Sequence, residues 1–424
     1  MAMPPSQERY YKSLEAQQKL PEGFTGATSS FSFSSTERGN DELRMNLSLI
    51  ELESPTRAVA GVTTTNRFPG APVTLVRELL RSRSPVAGVL VNNKVSNVGV
   101  PGGLDDAYRL TGALEELSGK GSWVSLSTGV IGWRLPVQRM VEELPALRAK
   151  RETARGIELA EAIMTTDRYP KLKRVDLGKG SVFGIAKGAG MIEPNLATML
   201  SVVLTDFELS REELSGLLRG SVEKSFNRIG VDGEQSTSDV VLLISSGTAG
   251  PVDSAEFGLA LDEVTGELSR QVVRNGEGTA HVVRVEVRGI SGKGRALYLA
   301  RRVSNSPLVK SAIYGNDPNV GRILMALGDG LSDLSEEGSL ENLTIEIDGT
   351  AVFTAGHFVL DPAKEMALSE SLRASAMDPA LKGYPQHDRE VSIVVDFGDG
   401  TPGEAVYGSD LSYEYVRENA DYRT

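Results

Sequence analysis

Near the middle of this 424-residue chain runs Lys187-Gly188-Ala189-Gly190-Met191-Ile192-Glu193-Pro194-Asn195-Leu196-Ala197-Thr198-Met199-Leu200, and few folds can accommodate such a stretch. Its glycines let the backbone take positive φ and approach a neighbour or ligand closely. Pro194-Asn195 interrupts regular structure, and Thr198 then opens an apolar run of Met199, Leu200, Val202, Val203 and Leu204. A hydroxyl therefore stands where a glycine-rich loop enters a buried element. Side chains at such junctions can be held rigidly.

What the rest of the chain lacks narrows the chemistry. There is no cysteine, so thiolate catalysis and cysteine-bound zinc are excluded. The histidines, His281, His357 and His387, are far apart and form no His-Glu-x-x-His spacing. No Gly-x-Ser-x-Gly elbow frames a serine. A hydroxyl nucleophile without histidine needs another base, and an N-terminal threonine has one in its own α-amine, with a pKa of ~7.7–8. That amine exists only if the chain is cut at Ala197-Thr198. The plain alternative is an ordinary threonine at the start of a strand or helix.

Composition bounds the class. Hydrophobic residues at 40 % and charged residues at 24 % suit a globular protein. The length implies two or three domains, or one large fold with a divided core. A net charge of −12 argues against a general nucleic-acid binder. No apolar run is long enough for a transmembrane helix. Residues 1–45 are polar with mixed charge, lack a signal core, and carry acidic residues that speak against a transit peptide. A cytoplasmic protein is expected. Within them, Ala27–Ser35 alternates phenylalanine with serine as a short edge strand would.

Helical and strand periods alternate along the rest. Strands are expected at Val59–Thr65, Val86–Val91, Trp123–Ser127, Val182–Ala186, Val240–Ser245, Val283–Arg288, Leu343–Ile347, Ala351–Phe353 and Val391–Asp396. Helices are expected at Val73–Arg81, Asp105–Leu117, Arg148–Met164, after the capping box Ser210-Arg211-Glu212-Glu213, through Phe257–Leu268, and at Leu411–Asn419. The pattern predicts an α/β protein of layered sheets flanked by helices. Asn92–Gly103 is a glycine- and asparagine-rich loop without the Gly-Lys-Ser/Thr of a phosphate-binding loop. Thr128-Gly129 follows a strand, either as a plain turn or as a hydroxyl and a bare amide facing an oxyanion.

At this point several segments resemble one family. Lys187–Leu200 resembles the self-cleaving signature of the ornithine acetyltransferase family, the bifunctional glutamate N-acetyltransferases of arginine biosynthesis. Ser127-Thr128-Gly129-Val130-Ile131-Gly132 is similar to its oxyanion loop and Ile163-Met164-Thr165-Thr166-Asp167 to its substrate segment. Phe226-Asn227-Arg228, Val231-Asp232-Gly233 and Ser236-Thr237-Ser238-Asp239 are similar to the block after the nucleophile. Gly276-Glu277-Gly278, Asn305–Lys310 and Asn419–Thr424 complete an ordered series over roughly residues 58–424. Departures are Lys94 and Val95 in a loop that is more regular in relatives, His281 where relatives carry lysine, and Val320 where they carry tryptophan. No role is given to His281.

The resemblance implies a chain that cuts itself between Ala197 and Thr198. Two interlocked parts follow: an alpha fragment of residues 46–197 behind a variable extension of residues 1–45, and a beta fragment of residues 198–424. It implies Thr198 as nucleophile, Thr128 and Gly129 as the oxyanion hole, and Thr165 or Thr166, Lys187, Glu277, Asn419 and Thr424 as substrate contacts. The implied reaction is acetyl transfer from N-acetylornithine to glutamate, releasing ornithine. No metal or cofactor is needed, and acetyl-CoA is a possible co-substrate. A heterotetramer of two alpha and two beta fragments, or a multiple of it, is expected, with no nucleic acid or membrane partner. Three rivals remain: an N-terminal-threonine amidohydrolase or aminopeptidase, an acetyltransferase with a different acceptor, and a non-catalytic binding paralogue.

Overall fold

The apolar runs of the sequence become three β-sheets clothed by helices in a computed structural model, which describes residues 6–35, 37, 39, 41–193, 199–292, 294–334 and 341–421. The α/β layering expected from the sequence is present. The described chain forms two compact units, one of residues 7–227 and 235–272, the other of residues 228–234 and 273 onward.

The larger unit runs α1 (Gln7–Glu15), β1 (Phe24–Ser35), β2 (Asp41–Thr56), β3 (Val59–Thr63), α2 (Ala71–Ser82), β4 (Val86–Asn92), α3 (Gly103–Ser118), β5 (Ser122–Ser127), α4 (Val137–Ala149), α5 (Gly156–Ala162), β6 (Lys171–Leu177), β7 (Gly180–Lys187), β8 (Leu200–Glu208), α6 (Arg211–Lys224), β9 (Val240–Pro251) and α7 (Ser254–Arg274). One sheet has the order β1-β2-β4-β5 and the other β3-β9-β8-β7-β6. Every residue of β4 is buried, which is why its sequence is a continuous apolar run with no polar alternation. Against that sheet pack Leu110 and Leu114 of α3 and Met140, Leu144 and Leu147 of α4. In α7, Phe257, Leu261, Val264 and Leu268 are fully buried at helical spacing, each stabilising by roughly 1.5–3 kcal/mol.

The smaller unit follows with β10 (Val282–Arg288), α8 (Arg295–Asn305), α9 (Pro307–Tyr314), α10 (Val320–Asp333), β11 (Thr344–Ile347), β12 (Thr350–Thr354), β13 (His357–Phe358), α11 (Pro362–Ala374), β14 (Val391–Asp396), β15 (Glu404–Ser409) and α12 (Tyr413–Asp421). Its sheet order is β13-β12-β11-β14-β10-β15. Val285, Val287, Ile345, Ile393 and Val395 meet Leu299, Val303 and Ile323 of the helices in one core.

Four expectations change. The single helix over Arg148–Met164 is two helices. Between them Ala154 N–H donates to Gly26 O of β1 and Gly156 N–H to Gln18 O, so the backbone bonds a helix would use internally go to the neighbouring chain. The strand at Ala27–Ser35 is not short: β1 pairs with β2 from Phe24 to Ser35. Residues of the N-terminal arm are likewise built in, with the Tyr10 hydroxyl donating to Pro170 O at 2.6 Å and its ring edge-on to Tyr169. The last helix spans Tyr413–Asp421 rather than Leu411–Asn419.

In sequence Ala197 and Thr198 stand between β7 and β8, which pair antiparallel from Val182↔Thr205 to Lys187↔Leu200.

Candidate active site

One end of the β3-β9-β8-β7-β6 sheet gathers the polar segments. Lys187, the last residue of β7, lies across from Leu200, the first of β8. Leu200 in turn aligns with Val240 of β9, and Val240 with Thr63 of β3. Strand β8 thus begins here two residues after Thr198, with Lys187 on one side and Asp239 on the other. Ala197 and Thr198 themselves, and Thr424, lie outside the described residues.

Thr128 and Gly129 leave β5 beside the Asn92–Asn97 loop. Thr128 N–H donates to Asn92 O at 3.0 Å, and Val130 N–H to Lys94 O at 2.9 Å. The Asn92 side chain accepts from Ser127 Oγ at 2.7 Å and donates to Val95 O at 2.8 Å. Gly129 has φ +127°, and a Cβ there would fall 2.2 Å from the carbonyl carbon of Lys94. Glycine is therefore required by clearance as well as by conformation. Lys94 itself sits at φ +80°, a cost that glycine would not incur. The Thr128 hydroxyl and the Gly129 N–H have no hydrogen-bond acceptor among the described residues. Two donors side by side without acceptors suit a developing negative oxygen.

The same loop reaches the threonine pair, because Asn93 Nδ2 donates to Met164 O at 2.9 Å. Thr165 and Thr166 are exposed, whereas Asp167 directly after them is buried. Asp167 Oδ2 accepts from Thr165 N–H at 2.9 Å. Its Oδ1 accepts from Gly188 N–H at 2.8 Å and from Lys171 Nζ at 2.5 Å. Both side chains of the Asp167–Lys171 pair are inaccessible to solvent. Burial alone would raise the Asp167 carboxyl, but the charges of Lys171 and Lys187 and the Gly188 hydrogen bond outweigh it and bring the pKa down to about 2. Burial lowers the Lys171 ammonium against the pull of Asp167. What the carboxylate gains the ammonium partly loses, so the pair fixes geometry rather than adding net stability.

Asp239 is the second buried carboxyl near Lys187, and among the described residues its Oδ2 has no hydrogen-bond partner. Burial pushes its pKa well above the carboxylate range, opposed by the Lys187 charge and a Ser236 hydrogen bond. Its segment is tied down through the backbone: Thr64 N–H donates to Asp239 O at 3.0 Å and Thr64 Oγ1 to Ser236 O at 2.7 Å.

In the smaller unit Glu277 and Asn419, distant in sequence, meet directly, Asn419 Nδ2 donating to Glu277 Oε2 at 3.0 Å. A Cβ on Gly278 would fall 2.1 Å from Tyr415 N, so glycine lets the Glu277 turn close against α12. Burial, Asp232 and Glu277 all raise the Tyr415 phenol. His281 is buried between Asp410 Oδ2 at 2.7 Å and Leu372 O at 3.1 Å.

The expected site residues thus fall into two sets. Thr128, Gly129, Thr165, Thr166 and Lys187 lie in the larger unit, where Asn93 bonds Met164 beside the threonines and Asp167 joins Thr165 to Gly188; Glu277 and Asn419 pair in the smaller. Sequence reasoning overlooked Lys171 and gave no part to Asp167 or Asp239. The signal for the first pair was an acid and a lysine four apart around Tyr169-Pro170, outside any helix, at the head of a strand.

Comparison with known proteins bears on the whole chain. A model described as the ArgJ family matches residues 32–424. The arginine biosynthesis bifunctional protein ArgJ of Nitratidesulfovibrio vulgaris is 36% identical over 418 residues, covering 95% of this chain and 99% of that protein. A glutamate N-acetyltransferase of Methanothermobacter thermautotrophicus is 37% identical over 379 residues, covering 86% and 90%. The mitochondrial bifunctional ArgJ protein of Pyricularia oryzae is 35% identical over 400 residues, covering 89% and 86%. Among the described residues no helix is long and apolar enough to cross a membrane.

Proposed function

The chain belongs to the ArgJ family, and on that premise we propose that this acetyltransferase moves acetyl from N-acetylornithine to glutamate through an ester on Thr198, in arginine biosynthesis. The precursor first cuts itself. The Thr198 hydroxyl attacks the Ala197 carbonyl, the peptide C–N bond breaks as its nitrogen takes the hydroxyl proton, and water hydrolyses the resulting ester. The released α-amine then serves as base for the same oxygen.

In the transfer, Thr198 Oγ attacks the acetyl carbonyl, and its proton passes by way of the amine to the nitrogen that leaves as ornithine. Glutamate enters, its amine attacks the acetyl ester, and Thr198 Oγ recovers a proton as N-acetylglutamate departs. Thr128 and Gly129 donate to the tetrahedral oxyanion, one such donor being worth about 3–4 kcal/mol of barrier. Lys187 and the Thr165–Thr166 segment hold the acyl donor and its carboxylate. Glu277, positioned by Asn419, binds the amino group through charge-assisted hydrogen bonds, and Thr424 adds a further contact. Acetyl-CoA is the second donor, no metal or prosthetic group takes part, and the enzyme works in the cytoplasm as two alpha and two beta fragments.

The observation that carries this reading is the Thr128 hydroxyl and Gly129 amide, without acceptors among the described residues, beside the Asn92–Asn97 loop that bonds the threonine segment, which Asp167 in turn ties to Gly188. Intact mass under denaturing conditions tests it, followed by exchange of labelled acetyl between N-acetylornithine and ornithine. Two pieces, residues 1–197 and 198–424, with ornithine-dependent exchange are expected. A persistently uncut chain would remove the base and with it the mechanism.

A further inference from the structure

Asp167 does more than follow two threonines. Its two oxygens join the turn before β6 to the residue after β7, at the open end of that strand pair: Thr165 N–H on Oδ2 at 2.9 Å, and Gly188 N–H on Oδ1 at 2.8 Å. The exposed Thr165 and Thr166 side chains and the Lys187–Gly188 end of β7 are therefore held to each other through a single buried carboxylate. Only the ionised form accepts on both oxygens without turning an O–H against an N–H. Lys171 Nζ, 2.5 Å from Oδ1, supplies the adjacent positive charge.

We propose that Asp167, held ionised by Lys171, is a positioning residue for acetyl transfer, clamping the threonine segment to Lys187 and Gly188. This rests on the acetyl-transfer reading of the site. The charged groups facing the clamp are Lys171 of β6 and Lys187 of β7, with Arg168 acting on Lys171. Without Lys171, burial drives the carboxyl to take up a proton at higher pH, and the clamp opens as it does so. A side chain serving packing alone would leave the pH profile untouched.

The test measures kcat and KM for N-acetylornithine and glutamate from pH 5 to pH 9 in the wild type, Lys171→Met, Asp167→Asn and the double variant, with a thermal melt of each. Lys171→Met is expected to add a second acid limb to the one that the Thr198 α-amine base already gives the wild type, with kcat/KM falling about tenfold or more below the wild-type value at the acid end. Asp167→Asn and the double variant should show raised KM, about tenfold, and no such limb. Folded variants with the wild-type profile and KM would overturn the clamp while leaving acetyl transfer intact. Single variants that both fail to fold would assign the pair to the scaffold and overturn it equally. A wild type that transfers no acetyl would overturn both readings.

Discussion

Asp167 and Asp239 lie in segments at the same sheet end, both are buried, and both are within electrostatic reach of Lys187, yet their carboxyls shift in opposite directions. Burial opposes ionisation in each. The difference lies in what each segment offers the charged form. Asp167 sits where two backbone N–H groups and a lysine of its own converge. Asp239 has the Ser236 hydroxyl and the shared field of Lys187, and one oxygen with no partner among the described residues. A cation of its own, Lys171, with backbone donors beside it, separates the buried acid that is a fixed anion from the one that is not.

The strongest way to break this contrast is to remove the cation on which the first segment depends. Lys171→Met leaves Asp167 buried without its counter-ion, and loss of one partner of such a pair costs about 3–5 kcal/mol. Urea denaturation at pH 7.5 is expected to show that loss, with the double variant Asp167→Asn/Lys171→Met recovering much of it. A cost below about 1 kcal/mol would place the pair with exposed ion pairs and dissolve the distinction.

Much of this was legible in advance, for identifiable reasons. The continuous apolar run of β4 and the capping box of α6, where Ser210 N–H donates to Glu213 Oε2 at 2.9 Å, are local patterns read directly from residue order. Thr128, Gly129, Lys187, Glu277 and Asn419 came from motif resemblance. Lys171 was invisible because a lysine at a strand head looks like any surface lysine until its carboxylate partner folds over it. The break at Lys150–Arg155 was missed because Gly26 of β1 and Gln18 ahead of it, more than a hundred residues upstream, supply the acceptors. Gly129 was expected for its bare amide, while its clash with Lys94 depended on a contact that no local pattern encodes.

A pH series sharpens the contrast through opposite signs. Asp167 is depressed to about 2 from roughly 3.9 in an unfolded chain, so its stabilisation is present above ~pH 4 and lost as pH falls toward 2. Asp167→Asn should therefore be most destabilising at neutral pH and approach the wild type in acid. Asp239 is raised, so stability is fully present below ~pH 4 and lost as pH rises through its folded value. Asp239→Asn is expected to gain about 1–3 kcal/mol on the wild type at pH 8 and nothing at pH 3.5. Melting temperatures of both variants against pH give the two signs; parallel curves would show that the segments do not differ.

The finest probe is the one donor Asp239 has. Ser236 hydrogen-bonds that carboxyl, and its Oγ also accepts from Ser238 N–H at 3.1 Å. Ser236→Ala is expected to cost about 0.5–1.5 kcal/mol at pH 8. The part due to Asp239 should disappear in an Asp239→Asn background, and a double-mutant cycle isolates it. If the carboxyl is charged at pH 8, the coupling shrinks as the pH is lowered and Asp239 takes up its proton, whereas the Ser238 bond is insensitive to pH. A coupling near zero at both pH 8 and pH 4 would mean that the hydroxyl serves only the turn. Asp239 would then lack even one donor for its charged form, which widens its distance from Asp167.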